Sequence, residues 1–274
     1  MNDTTIRLDD KVAFITAGAN GLGEGAAMHI ARCGGHIAIA DIDADNGERV
    51  AAAVCALGRQ ALLIRTDVLH TDQIEAAVQQ TAQHFGRLDI LINNAGGTRH
   101  GAFIEQPERS WRKHIDLNFV SMLAATQTAA RVMMAAGNGG TIINIASSEG
   151  LRAAPGYAVY AACKAAMVSF TRTMALELSG HGIHVHALAP DMIETDGLKR
   201  FVESLRPEVN AARDRYIPLG RMGSVDELSG LIVFLASGMA SYLTGLTIPV
   251  DGGTIASSGW TRSQSDGQWG LYHG

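Results

Sequence analysis

Seven short, almost wholly apolar runs punctuate the chain: KVAFITA (11–17), HIAIAD (36–41), ALLIRTD (61–67), LDILINNAG (88–96), TIINIAS (141–147), IHVHALAP (183–190) and LTIPVDGG (246–253). A run that is apolar without strict alternation predicts a strand covered on both faces. Longer stretches with helical spacing lie between them, at 45–58, 71–85, 107–136 and 155–179. Strand and helix taking turns in this way predict an α/β fold: a doubly wound parallel sheet of about seven strands with helices on both faces. No linker, repeat or low-complexity block divides residues 1–274, so one domain is expected. Two segments break the rhythm. Residues 191–220 are charge-rich, and residues 254–274 form a polar extension that carries Trp260 and Trp269.

Composition narrows the classes. Hydrophobic residues make up 47% of the 274, enough for a sizeable core, and the net charge of -5 does not suit a nucleic-acid partner. Cys33, Cys55 and Cys163 have no metal-ligand spacing and suit a reducing compartment. The polar start MNDTTIRLDDK argues against a signal peptide, and no apolar run approaches the roughly 18 residues of a membrane helix. A cytoplasmic, soluble protein with neither membrane nor nucleic-acid partner is the expectation.

The turn after the first strand carries the first sign of chemistry. TAGANGLG (16–23) places Gly18, Gly21 and Gly23 around Asn20 and Leu22, just ahead of a helical segment. Backbone N–H groups there can approach a pyrophosphate, which the helix N-terminus favours. Glycine turns are common, and the spacing here is G-x-x-G-x-G, so the context has to decide. Asp41 closes the second strand, 18 residues after Gly23. A carboxylate at that place accepts hydrogen bonds from ribose hydroxyls and repels a 2′-phosphate, which points to NAD rather than NADP.

With TAGANGLG, NNAG (93–96), Asn118 in IDLNFVS, Ser147 in NIASSEG, YAACK (160–164), PDMIET (190–195) and VDGG (250–253) in this order, the chain resembles the short-chain dehydrogenases/reductases from about residue 8 to 255. The resemblance implies a Rossmann-like fold and NAD(H)-dependent oxidation of a secondary alcohol or reduction of its ketone, with a cyclic or apolar compound as one expectation. Asn118, Ser147, Tyr160 and Lys164 match the family's catalytic four, with Ser147 and Tyr160 also meeting substrate and Tyr160 and Lys164 also meeting cofactor. Asp67 and Val68 match the adenine contact. Asn94, Ala95 and Gly96 match the segment beside the adenosine, and Pro190, Ile193 and Thr195 the segment at the nicotinamide. A homo-oligomer is implied, a tetramer favoured, built partly from the helices at 107–136 and 155–179. Residues 191–220 match the variable lid over the substrate. The rivals are an NADPH-dependent carbonyl reductase such as a 3-oxoacyl-carrier-protein reductase, and a non-catalytic dinucleotide sensor. Five positions depart from the pattern or leave a choice: Ala17 and Asp191 where Gly is usual, Cys163 where Ser is common, His186 where Asn is common, and Ser148 beside Ser147.

The chemistry of the four residues follows from their types. A free Tyr, with a pKa near ~10, is too weakly acidic to serve as a base at neutral pH, and a neighbouring ammonium lowers that value. Helical i, i+4 spacing lets Lys164 approach Tyr160. A Ser147 hydroxyl can both donate to and accept from the reacting oxygen. Other side chains carry weaker expectations. His100 in a loop is more simply exposed than bound to substrate, and Tyr157 is as well placed to pack as to line the cleft. His184 and His186 share a strand face, with His181 before it, but a metal site is not expected. Leu198, Phe201 and Leu205 have the spacing to pack on the body of the protein or to meet substrate. Trp260 or Trp269 closing a substrate site is weighed equally against a loose tail.

Overall fold

The computed structural model describes residues 6–271, the side chain of Phe201 excepted. Strands β1 (Val12–Thr16), β2 (His36–Asp41), β3 (Ala61–Arg65), β4 (Ile90–Asn93), β5 (Gly140–Ile145), β6 (Ile183–Pro190) and β9 (Thr247–Val250) form one sheet. Its order is β3-β2-β1-β4-β5-β6-β9, and every pairing is parallel. The helices are α1 (Gly21–Arg32), α2 (Ala44–Ala56), α3 (Thr71–Phe85), α4 (Glu108–Ile115), α5 (Ser121–Ala136), α6 (Ala158–Glu177), α7 (Asp196–Glu203), α8 (Pro207–Tyr216), α9 (Val225–Ala236) and the short α10 (Thr254–Ser257).

The lack of alternation in the strands is accounted for by two cores. Ala13 and Ile15 of β1 face one cluster with Ile30 of α1, Val50 of α2 and Ile232 of α9. Val12 and Phe14 face the other, with Ile74 and Val78 of α3 and Ala129 and Met133 of α5. Alternate side chains point to opposite faces of a strand, so two covered faces demand an apolar residue at every position. All five residues of β1 are accordingly buried. The chain winds outward from β1 in one direction and from β4 in the other. The crevice at the carboxyl ends of these two strands is therefore the switch point where such sheets hold their ligands.

The segment at 107–136 is not one helix. A π-helical turn, Asp116–Val120, separates α4 from α5. The segment at 155–179 starts later than its periodicity predicts, at Ala158, because Gly156 adopts a left-handed φ of +82°. Residues 191–220 form the short strand β7 (Ile193–Glu194), then α7 and α8, and β7 pairs with β8 (Gly223–Ser224). The polar extension folds as α10 and a small antiparallel hairpin of β10 (Thr261–Arg262) and β11 (Trp269–Gly270). Among the described residues no helix is long and apolar enough to cross a membrane.

Candidate active site

The turn between β1 and α1 is tight on every side. Ala17 takes a left-handed φ of +52° and Gly21 one of +53°, so the methyl of Ala17 is carried in a conformation that favours glycine. A Cβ on Gly23 would fall 2.2 Å from the Ala17 carbonyl oxygen and 2.7 Å from Nδ2 of Asn94, which fixes glycine there. Gly18 has little more room: its Cβ would lie 3.2 Å from the Ile15 carbonyl oxygen. Leu22 packs against the core beneath. Asn20 caps α1 without a side-chain cap bond, leaving first-turn N–H groups for an anion. This cradle fits the pyrophosphate of a dinucleotide.

Asp41 stands beside the cradle with 8% of its surface exposed. Its Oδ2 accepts the Ala19 N–H at 2.9 Å and its Oδ1 the Asp43 N–H at 3.0 Å. Asp43 adds a second carboxylate, held below its usual range chiefly by the hydrogen bonds from Asn46. The nearby guanidinium of Arg49 is paired to both oxygens of Glu24, at 2.6 and 2.7 Å. Asp67 accepts the Leu69 N–H at 3.0 Å, and Val68 packs on the α3-side core. Thr195 lies over the glycine turn, since a Cβ on Gly21 would be 3.3 Å from its methyl. Pro190 and Ile193, at the end of β6 and in β7, are buried.

The NNAG segment ties the turn to the catalytic side. Asn94 and Ala95 donate their N–H groups to Thr16 Oγ1, both at 3.0 Å. The Asn94 amide donates to the carbonyls of Thr16 and Ala17 at 3.1 and 2.9 Å. Gly96 follows, and a Cβ on it would lie 2.9 Å from Asn118 Oδ1 and 3.2 Å from Lys164 Nζ. Only a glycine lets the chain pass between them.

Asn118 is wholly buried in the π-helical turn. Its amide donates to the carbonyls of His114 and Gly97, both at 2.9 Å, and its Oδ1 accepts the Gly97 N–H at 3.0 Å. Such single π turns recur at functional sites. Lys164 is also buried, and its ammonium donates to the Ile145 carbonyl at 2.7 Å. Desolvation pushes its pKa down to about 8, with the Cys163 thiol acting weakly the other way. Nζ sits 5.6 Å from the centre of the Tyr160 ring. Burial holds the Tyr160 phenol above its usual range, its hydrogen bond with Ser147 works downward, and the charge of Glu149 works upward. The lowering of the phenol by Lys164 that the spacing predicts is absent: burial is the largest influence on it, and the ammonium is bonded to the Ile145 carbonyl rather than to the phenol oxygen.

Ser147 begins the short turn after β5, and its Oγ accepts the Glu149 N–H at 3.2 Å. Ser148 turns the other way, donating to the Ala189 carbonyl at 3.3 Å in the interior. The bond to Tyr160 and this opposed orientation favour Ser147 of the two. Cys163 is buried facing α4, its Sγ 4.0 Å from the His114 carbonyl. His100 stacks edge-on with Tyr157 at 5.1 Å beside Gly156. His184 bonds the Leu243 carbonyl at 2.8 Å, while His186 is buried with neither ring nitrogen bonded. Leu198 and Leu205 are half-buried, and the Phe201 side chain lies outside the described residues.

One cluster escapes sequence reasoning. Arg152 Nη2 donates to Glu149 Oε1 at 2.7 Å and to Asp191 Oδ2 at 3.0 Å, and Nη1 donates to the Tyr216 hydroxyl. Asp191 Oδ2 also accepts the Thr254 hydroxyl at 2.7 Å. The unusual Asp191 was the available signal. Its backbone is not in the left-handed region, so the residue serves a pairing and not a strained turn.

Comparison with known proteins shows the family and agrees with the fold. Residues 16–254 match the family described as Enoyl-(Acyl carrier protein) reductase. The 3-oxoacyl-(acyl-carrier-protein) reductase of Thermotoga maritima is 36% identical, covering 91% of this chain and all of its own. Galactitol 2-dehydrogenase of Agrobacterium fabrum is 37% identical, covering 92% of this chain and 100% of its own. The crystal structure of a short-chain type dehydrogenase/reductase from Mycobacterium marinum superposes with a TM-score of 0.85 at 35% identity, over 91% of this chain and 97% of its own. The chain belongs to the short-chain dehydrogenase/reductase family, oxidoreductases that move a hydride between a nicotinamide dinucleotide and an alcohol or ketone.

Proposed function

We propose that this protein is an NAD(H)-dependent dehydrogenase of secondary alcohols and their ketones. The observation that carries the reading is the convergence of Ser147, Tyr160, Lys164 and Asn118 beside Gly96, at the edge of a cradle flanked by Asp41. The bound dinucleotide supplies the hydride acceptor and, when oxidised, a positive ring. The protein does the rest. Ser147 holds the reacting oxygen. Burial alone keeps Tyr160 a phenol, which gives the proton in reduction; the positive ring of an oxidised dinucleotide beside it would favour the phenolate that takes the hydroxyl proton in oxidation. Lys164 supplies positive charge beneath the ring, and Asn118 fixes the backbone at His114 and Gly97 around it. The buried Asp41, the adjacent Asp43 and the neutralised Arg49 all disfavour a 2′-phosphate.

The NADPH-dependent reading draws on the 3-oxoacyl reductase relatives, and the sensor reading would make the four side chains idle. Rates with NAD and NADP across a panel of secondary alcohols separate the three. NAD is expected to win by at least about tenfold in kcat/KM, and Asp41→Ala to narrow the ratio. A preference for NADP sinks the cofactor assignment, and no turnover with either supports the sensor.

The same reading makes residues 191–220 a lid, the described residues 254–271 its brace, and the chain a single-domain cytoplasmic enzyme of a small molecule. It also makes the protein a homo-oligomer, a tetramer favoured. An apolar groove of about 550 Å³ between α4 and α6, lined by Phe103, Trp111, Ile115, Val159, Ala162 and Ala166, supports contact between copies.

A further inference from the structure

The cluster around Arg152 adjoins Ser147 through Glu149. Glu149 is two residues past Ser147, and its own N–H rests on the Ser147 hydroxyl at 3.2 Å. Its charge works upward on the Tyr160 phenol, after burial and the Ser147 hydrogen bond. Oε1 is taken by Arg152 at 2.7 Å, which fixes the side chain, while Oε2 makes no hydrogen bond among the described residues. Arg152 is held in turn by Asp191, after β6, and by Tyr216, at the end of α8. The wall beside the reacting centre is thus polar and rigid, with its open valence an acceptor. Its charge is also unbalanced. One guanidinium faces Glu149 and Asp191, and Asp251 stands behind them, bonded at 3.2 Å to the Thr254 hydroxyl that Asp191 shares.

We propose that Glu149 determines specificity: its free carboxylate oxygen accepts a hydrogen bond from a hydroxyl on the carbon next to the reacting one. The substrate is then a neutral polyhydroxy compound bearing a vicinal diol. The Glu149 side chain is 25% exposed, and a purely apolar alcohol would cover its acceptor without pairing it, which a site of this kind penalises. An anionic hydroxy acid meets the net negative wall. This inference rests on the dehydrogenase reading above and, of the compounds that reading admits, favours a polar one.

The test is oxidation by NAD of vicinal butanediol, secondary butanol and the anionic dihydroxybutyrate by the full-length enzyme. The wild type is expected to favour the diol over each of the others by at least about tenfold in kcat/KM. Glu149→Ala should collapse the diol-to-butanol ratio to about twofold or less, with Glu149→Gln in between because its amide oxygen still accepts. If Glu149 only anchors Arg152, both substrates suffer alike and the ratio stays, which overturns the proposal. Should Glu149→Ala fail to fold, Glu149→Gln and the wild-type ratios still decide. A wild type that oxidises butanol as well as the diol ends this inference and leaves the dehydrogenase reading standing. No NAD reduction with these or any other alcohol ends both.

Discussion

At Lys164 burial and chemistry pull in opposite directions. The ammonium is wholly enclosed, and its pKa of about 8 lies below the ordinary 10.5. Between those values the unfolded chain binds more protons than the folded one, so stability rises with pH across that window. Below it the full cost of the buried charge applies, at about 1.4 kcal/mol per pK unit, offset in part by the bond to Ile145. Lys164→Met is therefore expected to be about 2 kcal/mol more stable than the wild type at neutral pH, with turnover lost. The gain should fade as pH approaches the ordinary lysine value. Thermal unfolding across that pH range checks it, and a destabilised variant at neutral pH contradicts it. Ala17 is a smaller cost of the same kind, a methyl group held at a φ of +52° in the phosphate turn.

The elements differ in how plainly the sequence announced them. The strands were legible because two covered faces make them apolar throughout, and observed bounds fall inside or within a residue of the apolar runs. The glycine turn, Asp41 and the Tyr160–Lys164 pair were legible because their spacing is local. The break at Asp116–Val120 was not, because the π turn answers to Gly97, far from it in sequence, and not to any proline or glycine of its own. The Arg152 cluster was equally hidden: its partners Asp191 and Tyr216 lie 39 and 64 residues away. The described part of the extension, residues 254–271, holds α10 and the hairpin. Arg262 lies over Trp269 at 5.1 Å and donates to the Pro218 carbonyl at 3.0 Å, so the hairpin braces the end of α8. Deleting residues 258–274 should raise the KM for the alcohol by at least about threefold through a loosened α8. Unchanged Michaelis constants would rule out that bracing role.

At the scale of the whole molecule, the sheet places cofactor cradle and acid–base group on one rim, and α4 and α6 carry an apolar groove between them. Light scattering on the purified protein should give the mass of four chains of 28.9 kDa each, and Ala162→Glu, at an exposed site in the groove, should give smaller species. A wild-type monomer would remove the assembly from the account. The central claim is that the Tyr160 hydroxyl carries the proton that balances hydride transfer. The direct measurement is steady-state NAD reduction by Tyr160→Phe with the best alcohol of the panel, alongside NADH binding and thermal unfolding. The account predicts a fall in kcat of about a hundredfold to ten-thousandfold, with binding and unfolding unchanged. Turnover within a few-fold of the wild type would contradict it.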